Sequence, residues 1–352
     1  MADGDSKKVV MAALAGNVAI AVCKVVAALL SHSTATLAEA AHSVADSGNQ
    51  ALLLVGMGLA AKPPDDRFPF GRAAERYFWP FVVALMLFSL GGAFAIVEGS
   101  HRLISGNTGE TASKYVHIAS ISFPSIWVSL IVLGLSFFFE AMSFRVAFRE
   151  FRIIAKGKPI VNAIFEARDP TVPLVLAEDT TALIGLGIAL AAVILTSVTG
   201  IWWWDPLGSV LIGILLSAVS LILARVTHAL LIGASVLPAE RKRIIEIVEA
   251  VEGVDRVTQL LAMHLGPDVV IVALKIAFMP DMKVSEIEDV TNLLEKKVRA
   301  EMPEMRKIFV EADSRGDGRG LVPGMSPHKV AREAKVPASK KSPDPFPASG
   351  ET

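Results

Sequence analysis

Four polar side chains interrupt an otherwise apolar stretch close to the N-terminus. They are Glu39, His42, Asp46 and Asn49. Separations of three, four and three residues place them along one face of a helix. Ionisable groups at membrane depth are costly, so such a face normally points into a helix bundle or a water-filled cavity. A histidine one helical turn from a carboxylate is half of a site for a divalent cation such as zinc, although a polar face can also hold helices together without an ion.

A cation held between helices needs ligands from a second helix, and a later apolar stretch supplies Glu178 and Asp179. Adjacent residues on a helix point about 100° apart, so the two carboxylates cannot both face one ion squarely. Either of them, with His42 and Asp46, would complete a three-residue site whose fourth position is left for water. An open position suits an ion that must leave again. Glu178 could instead pair with Lys24 or with another helix.

Six apolar segments are predicted to position these residues. Hydrophobic residues make up 53% of the chain and the mean hydropathy is +0.52, above the roughly 45–50% apolar content of soluble domains. Each segment is long enough to cross a hydrocarbon core of about 30 Å. The predicted spans are residues 9–30, 33–60, 77–97, 115–139, 172–200 and 207–226. They belong to a membrane domain at 9–235, which follows an N-terminal cytoplasmic segment at 1–8 and contains a basic connector at 141–171.

The distribution of basic residues predicts how this domain is oriented. Lys7 and Lys8, the loop after the second span, the connector and Arg225 all fall on one side of the membrane. The opposite side carries little beyond Arg102 and Lys114. The positive-inside rule therefore predicts a multi-pass protein with both termini in the cytoplasm, in the inner membrane if the cell is bacterial.

Net charge and cysteine content argue against three features. The formal net charge of -1 gives no indication of a nucleic-acid partner. Cys23 is the only cysteine, which excludes an intrachain disulfide and a cysteine-rich metal site.

The last third of the chain is predicted to form a small cytoplasmic α+β domain at residues 236–312. Its helices and strands follow the order α-β-β-α-β, a ferredoxin-like arrangement suited to pairing with a second copy. The predicted helices are 239–251 and 284–302, and the predicted strands are 254–264, 269–279 and 308–312. Residues 313–352 are rich in Gly, Pro, Ser, Lys and Arg, which predicts a disordered tail.

Several of these features together resemble the cation diffusion facilitator family. They are the element His42-Ser-Val-Ala-Asp46, the loop motif Pro-Asp-Asp…Pro-Phe-Gly, the six spans and the α+β tail. The segments Phe139-Glu-Ala-Met-Ser-Phe-Arg and Ala177-Glu-Asp-Thr-Thr-Ala are similar to the branch of the family that contains zinc transporter nine. The resemblance covers about residues 9–312. It implies a homodimeric secondary transporter in the lipid bilayer that exports zinc or a related divalent cation in exchange for protons, by alternating access.

The resemblance also implies which residues bind the ion. His42, Asp46 and Asp179 fall on ligand positions between the second and fifth spans, and Glu39 would lie behind them. Val175 stands where the family has a histidine, so Glu178 or a water is the candidate to fill the gap. No prosthetic group and no enzymatic reaction are implied.

Two further metal sites of some family members are incomplete in this chain. In the loop after the second span, Phe68 and Arg72 replace histidines and only Asp65 and Asp66 remain. In the tail domain, two positions that hold histidines in members with a dinuclear zinc site are occupied differently. These two positions hold Thr258 and Leu274. Glu311 and Asp313 remain, but two carboxylates alone would not hold such a site. His264 and Asp268 flank a turn and are interpreted as structural.

Three other functions are compatible with parts of the pattern. The chain could export iron, manganese or cobalt. It could bind a metal as a membrane sensor or chaperone without transporting it, since a binding site and a transport site use the same residues. It could also be a membrane metalloenzyme that activates water, but no nucleophile, second histidine or HExxH element accompanies His42.

Overall fold

The structure is a computed structural model that describes residues 2–31, 34–106, 115–118, 121–155 and 157–313. Side chains are described for these residues except at positions 2–5, 27–31, 34–42, 45, 115–118, 121–129, 161 and 165. The predicted disordered tail lies outside the described residues, apart from Asp313.

Long helices form the membrane domain. In chain order its elements are α1 (Ala2–Ser31), α2 (Thr34–Ala60), α3 (Glu75–Met86), a π-helical segment (Leu87–Ala93), α4 (Phe94–Ser105), β1 (Tyr115–Ile118), β2 (Ile121–Pro124), α5 (Ser125–Ala155), α6 (Ile160–Phe165), α7 (Thr171–Thr199) and α8 (Trp204–Leu231). Five spans in the described residues are long and apolar enough to cross a membrane, with α3, the π segment and α4 forming one of them. At 27 residues, α2 is about 40 Å long and also exceeds a hydrocarbon core.

The fourth predicted span differs from the structure at both ends. Residues 115–118 and 121–124 pair as the antiparallel strands β1 and β2, since aromatic and β-branched residues favour strands, and Pro124, a residue that disfavours a helix interior, directly precedes α5. The helix α5 begins at Ser125 and continues to Ala155, well into the predicted basic connector. Charged residues do not by themselves end a helix, and the first breaker after residue 125 other than Gly134 is Gly157.

The membrane helices pack in two groups. α1 contacts α2, α5 and α7, whereas α8 contacts α3, the π segment and α4. The two groups meet extensively where α2 packs on α3 and where α7 packs on α8. Small residues allow the second group to approach closely. A Cβ atom added at Gly92 would lie 2.3 Å from the Ser217 hydroxyl, and one added at Gly213 would lie 2.8 Å from the Gly92 carbonyl oxygen. The π segment and α8 therefore meet backbone to backbone, as small residues permit in membrane helix pairs.

The tail domain has the predicted α-β-β-α-β order. Its elements are α9 (Pro238–Glu249), β3 (Val254–Gly266), β4 (Val269–Phe278), α10 (Val284–Glu301) and β5 (Lys307–Ala312). β4 lies at the centre of the sheet, antiparallel to β3 and parallel to β5. Both helices bury aliphatic residues, among them Ile244 and Leu294, against the sheet. The predicted fold class, a helical membrane domain followed by a small α+β domain, is confirmed.

Ion pairs and close packing join the two domains. Arg168, in the loop before α7, pairs with Glu240 of α9, and its Nη1 lies 2.9 Å from Glu304 Oε1. The backbone N–H of His264 in β3 donates a 3.0 Å hydrogen bond to the carbonyl of Ala234, in the linker after α8. The membrane domain and the tail domain therefore share a polar joint.

Candidate functional site

Asp179 is a buried carboxylate within the membrane domain. It lies eight residues after the start of α7, about 12 Å along that helix. Its side chain is 2% exposed, and its Oδ2 accepts a 2.7 Å hydrogen bond from the hydroxyl of Ser143 in α5. Ser143 is buried as well. One hydroxyl donor leaves most of the acceptor capacity of a carboxylate unused, so Asp179 can also take a cation or a proton.

Glu178, its neighbour in sequence, faces a different helix. Its Oε2 accepts a 2.7 Å hydrogen bond from Gln50 Nε2 and its Oε1 a 3.4 Å bond from Asn49 Nδ2, both in α2. Gln50 is fully buried, and its Oε1 has no hydrogen-bond partner among the described residues. Asp179 therefore contacts α5 and Glu178 contacts α2, because adjacent residues on a helix point about 100° apart.

Two further carboxylates lie within electrostatic range of this pair. Asp46, about 18 Å along α2, interacts with Glu178 and with Glu140 of α5. Glu140 also interacts with Asp179 and with the cation of Lys24 in α1. Three helices therefore bring carboxylates into one region of the bundle, with a lysine from a fourth beside them.

Glu140 was not predicted as a site residue. The predicted fourth span ends at residue 139 and the predicted connector begins at residue 141, so Glu140 falls between them and outside the predicted bundle. One signal in the sequence could have identified it. Glu140 lies one helical turn before Ser143 in a run without Gly or Pro, so a continuous helix must hold both side chains on one face.

The predicted ligands are only partly covered by the structure. Asp46, Glu178 and Asp179 come together as described, whereas the side chains of Glu39 and His42 lie outside the described part of α2. Among the side chains that are described, no three His, Cys, Asp or Glu residues form a group that could hold a metal ion.

Val175, which stands where the resemblance expects a histidine, is fully buried one helical turn before Asp179. It belongs to the apolar core of the membrane domain. The position therefore shares a helix face with Asp179 but adds no ligand to it.

In the loop after α2, Asp65 and Asp66 are the two acids that remain at the incomplete second metal site. Asp65 is engaged in hydrogen bonds and an ion pair within the loop. Asp65 Oδ1 accepts hydrogen bonds from the backbone N–H groups of Arg67, at 3.0 Å, and of Phe68, at 2.7 Å. The guanidinium of Arg72 pairs with Asp65 and lies over the Phe68 ring. Asp65 thus stabilises the turn, while Asp66 makes no described contact.

The remaining acids of the tail domain are also engaged. Thr258 Oγ1 donates a 2.7 Å hydrogen bond to Asp313, and Lys275 pairs with Glu311 at 3.0 Å. Leu274 is buried in the sheet. His264 is buried at the joint between the domains, where burial and the nearby Arg168 cation lower the pKa of its imidazole. Its Nδ1 has no hydrogen-bond partner among the described residues.

Comparison with known proteins finds two matching families. Residues 10–232 match the family described as cation efflux transmembrane domain, and residues 237–315 match the family described as cation efflux protein, cytoplasmic domain. The first match alone covers more than half of the chain.

Individual relatives agree with these matches. The chain is 30% identical over 298 residues to metal tolerance protein C4 of Arabidopsis thaliana, covering 84% of this chain and 60% of that protein. It is 31% identical over 261 residues to the mitochondrial proton-coupled zinc antiporter SLC30A9 of Mus musculus, covering 74% and 44%. Magnetosome protein MamM of Paramagnetospirillum magneticum is 23% identical over 321 residues, covering 91% and 92%. The chain thus spans about half the length of the first two relatives.

Among solved structures, a C-terminal domain of MamM in a manganese form is 26% identical and aligns with a TM-score of 0.21. It covers 22% of this chain and 96% of that one.

Proposed function

Because the chain belongs to the cation efflux, or cation diffusion facilitator, family of metal transporters, we propose that it is an exporter of divalent metal cations, chiefly zinc, in exchange for protons. The observation that carries this proposal is the convergence of Asp46, Glu140, Glu178 and Asp179 inside an apolar helix bundle. Ionisable groups are retained at such depth when they serve an ion or proton pathway.

The ion would bind between α2, α5 and α7. Asp46 and Asp179 supply charge from two of these helices, and His42, one turn before Asp46 in sequence, adds a nitrogen donor. The carboxylate of Glu178 is oriented by Gln50 and Asn49. It is the candidate to replace the histidine ligand that the family has at the position of Val175. A set of few protein ligands, completed by water, releases an ion more readily than a closed site.

Proton coupling follows from charge balance. Carboxylates in mutual electrostatic contact repel one another, and Lys24 offsets only part of that charge. Either a divalent cation or protons can neutralise the remainder. Since a histidine and carboxylates must be deprotonated to bind a metal, binding of the ion and binding of protons exclude each other. That exclusion is the chemical requirement of an antiporter.

The choice of zinc rests on the relative named as a zinc antiporter and on the nitrogen donor of His42, which favours zinc over manganese. The carboxylate-rich composition of the site acts in the opposite direction, since oxygen ligands suit manganese and other hard cations. Export of iron, manganese or cobalt is therefore the alternative within the same function. The tail domain pairs two copies of the chain in this proposal.

A flux assay in proteoliposomes tests the proposal. Protein is reconstituted with a zinc-sensitive dye trapped inside, and the interior is made acidic so that protons leaving drive zinc entry. We expect zinc uptake that depends on the pH gradient, and we expect Asp46→Asn and Asp179→Asn to abolish it without loss of folded protein. The same measurement with manganese, iron and cobalt ranks the substrates.

Glu98→Gln provides the matched control. Glu98 is also a carboxylate of the membrane domain, but it is exposed and paired with Arg102 at 2.7 Å, so its loss should leave uptake unchanged. Zinc binding without uptake would refute transport and favour a sensor or chaperone. Zinc uptake at the same rate with and without the pH gradient would refute proton coupling. Normal uptake in both site variants would refute the site.

A further inference from the structure

Three arginines line one face of α5 near its C-terminal end. They are Arg145, Arg149 and Arg152, separated by four and three residues, so that they follow one another along the helix over about 10 Å. Together with Phe148 they line an open cavity of about 380 Å³. We call this set the arginine face.

None of these guanidinium groups has a carboxylate partner among the described residues. Glu150, the nearest acid along the chain, makes no described ion pair with them. Two other arginines on the same side of the membrane domain differ in this respect, since Arg76 pairs with Asp169 and Arg168 with two glutamates. The positive charge of the arginine face is therefore available to an external anion.

The surroundings of the arginine face are apolar. Phe148, which lines the cavity, stacks on Phe144 with ring centroids 5.5 Å apart. Met142, Val146 and Ile153 expose their side chains on the same two turns of helix or next to them. In a membrane-spanning helix these side chains contact lipid tails, so a ligand of the arginine face has an apolar surface beside its anionic group.

The position along the membrane is that of lipid headgroups. The C-terminal end of α5 lies on the side of the membrane domain that carries the tail domain, because the following loop holds Arg168 against α9. The predicted orientation makes this the cytoplasmic leaflet, whose surface is anionic. Arginine forks bind phosphate oxygens in pairs and suit this task better than lysine.

We propose that the arginine face is a binding site for the phosphate headgroup of an anionic phospholipid, with the acyl chains lying along the exposed aliphatic residues of α5. A free phosphate ion carries the same anionic group but has no acyl chains to contact the exposed aliphatic residues of α5. The site lies apart from the proposed ion pathway and does not depend on it.

Native mass spectrometry of the full chain in detergent tests this site. The protein is titrated with phosphatidylglycerol, with phosphatidylcholine and with inorganic phosphate. We expect phosphatidylglycerol to remain bound and the other two to leave. Since each basic side chain near an anionic surface contributes about a fivefold change in affinity, replacing all three arginines by glutamine weakens phosphatidylglycerol binding about a hundredfold, and Arg149→Gln alone about fivefold.

The control variant removes the same charge elsewhere. Lys296, Lys297 and Arg306 are exposed on the tail domain, and their replacement by glutamine should leave lipid binding unchanged. If the triple variant of the arginine face does not fold, the single Arg149→Gln variant decides the question. The proposal is overturned if Arg149→Gln binds phosphatidylglycerol as the wild type does, if the control variant loses binding equally, or if inorganic phosphate displaces the lipid at equal concentration.

Discussion

The joint between the domains offers a prediction whose size can be worked out from the contacts. Arg168→Gln removes a guanidinium that pairs with Glu240 and Glu304, whose side chains are each 16% exposed. Hydrogen bonds to charged groups contribute about 1.5–3 kcal/mol each when buried. The Arg168 side chain is itself 33% exposed, so screening by solvent reduces the combined effect to about 2 kcal/mol.

Hydrogen exchange of one backbone amide reports on this joint. The N–H of His264 donates to the Ala234 carbonyl of the linker, so it exchanges when the tail domain separates from the linker. A loss of about 2 kcal/mol raises the population of the open joint roughly thirtyfold. We expect the exchange of the His264 amide in the full chain to accelerate by that factor in Arg168→Gln. Amides in the middle of β4, such as that of Leu274, should not change.

Arg243→Gln is the matched control for this experiment. Arg243 also pairs with a glutamate, Glu301, at 2.5 Å, but the two side chains are 54% and 45% exposed and both lie within the tail domain. We expect no measurable change in His264 exchange. Unchanged exchange in Arg168→Gln, or an equal acceleration in Arg243→Gln, would refute the assignment of Arg168 as the connection between the domains.

Three other predictions concern the site and the tail. Val175→His adds a nitrogen donor one turn before Asp179 and should raise zinc affinity relative to manganese, as measured by calorimetric titration of both metals. Residues 238–312 should sediment as a dimer with or without a chelator, because Thr258 does not supply the histidine that a bridging zinc site needs. The His264 imidazole has a pKa below its ordinary value of 6.5, so the unfolded chain binds protons more readily than the folded one. The stability of the tail domain should therefore be fully present above about pH 6.5 and fall as the pH decreases below it, and His264→Gln should flatten this dependence in thermal unfolding.

Each of these three predictions would be contradicted by a specific result. An unchanged ratio of zinc to manganese affinity in Val175→His would show that the side chain at position 175 does not face the ion site. A dimer that a chelator dissociates would point to a metal between the copies, with Glu311, Asp313 and His264 as the first residues to test. Equal pH dependence in the wild type and His264→Gln would assign the titration to another group.

The tail domain was predictable from the sequence almost to the residue. Its strands alternate or run apolar between clear turn signals, and its helices carry apolar residues at helical spacing, so local pattern and tertiary fold agree. The membrane domain was predictable in its helical architecture but not in the ends of its spans. Hydropathy marks where lipid contacts a helix, whereas α5 continues as a helix through the charged residues Arg145, Arg149 and Arg152.

The two α7 carboxylates and Asp46 were identifiable from the sequence as acids of the bundle, because charged residues stand out in apolar stretches, and their role as ion ligands stays a prediction. Two features could not be read from the chain. The assignment of Glu178 to α2 and Asp179 to α5 depends on how α7 is rotated, which only packing decides. The π-helical segment between α3 and α4 depends on the close approach of Gly92 to α8, a contact between positions distant in sequence.

The two neighbouring acids of α7 also have a mechanical consequence. Through Glu178 and Asp179, α7 is fastened on one side to α2 and on the other to α5. Any turn of α7 about its own axis must break one of these fastenings or carry both partner helices along. A rotation of α7 is therefore coupled to the positions of α2 and α5 through these two side chains.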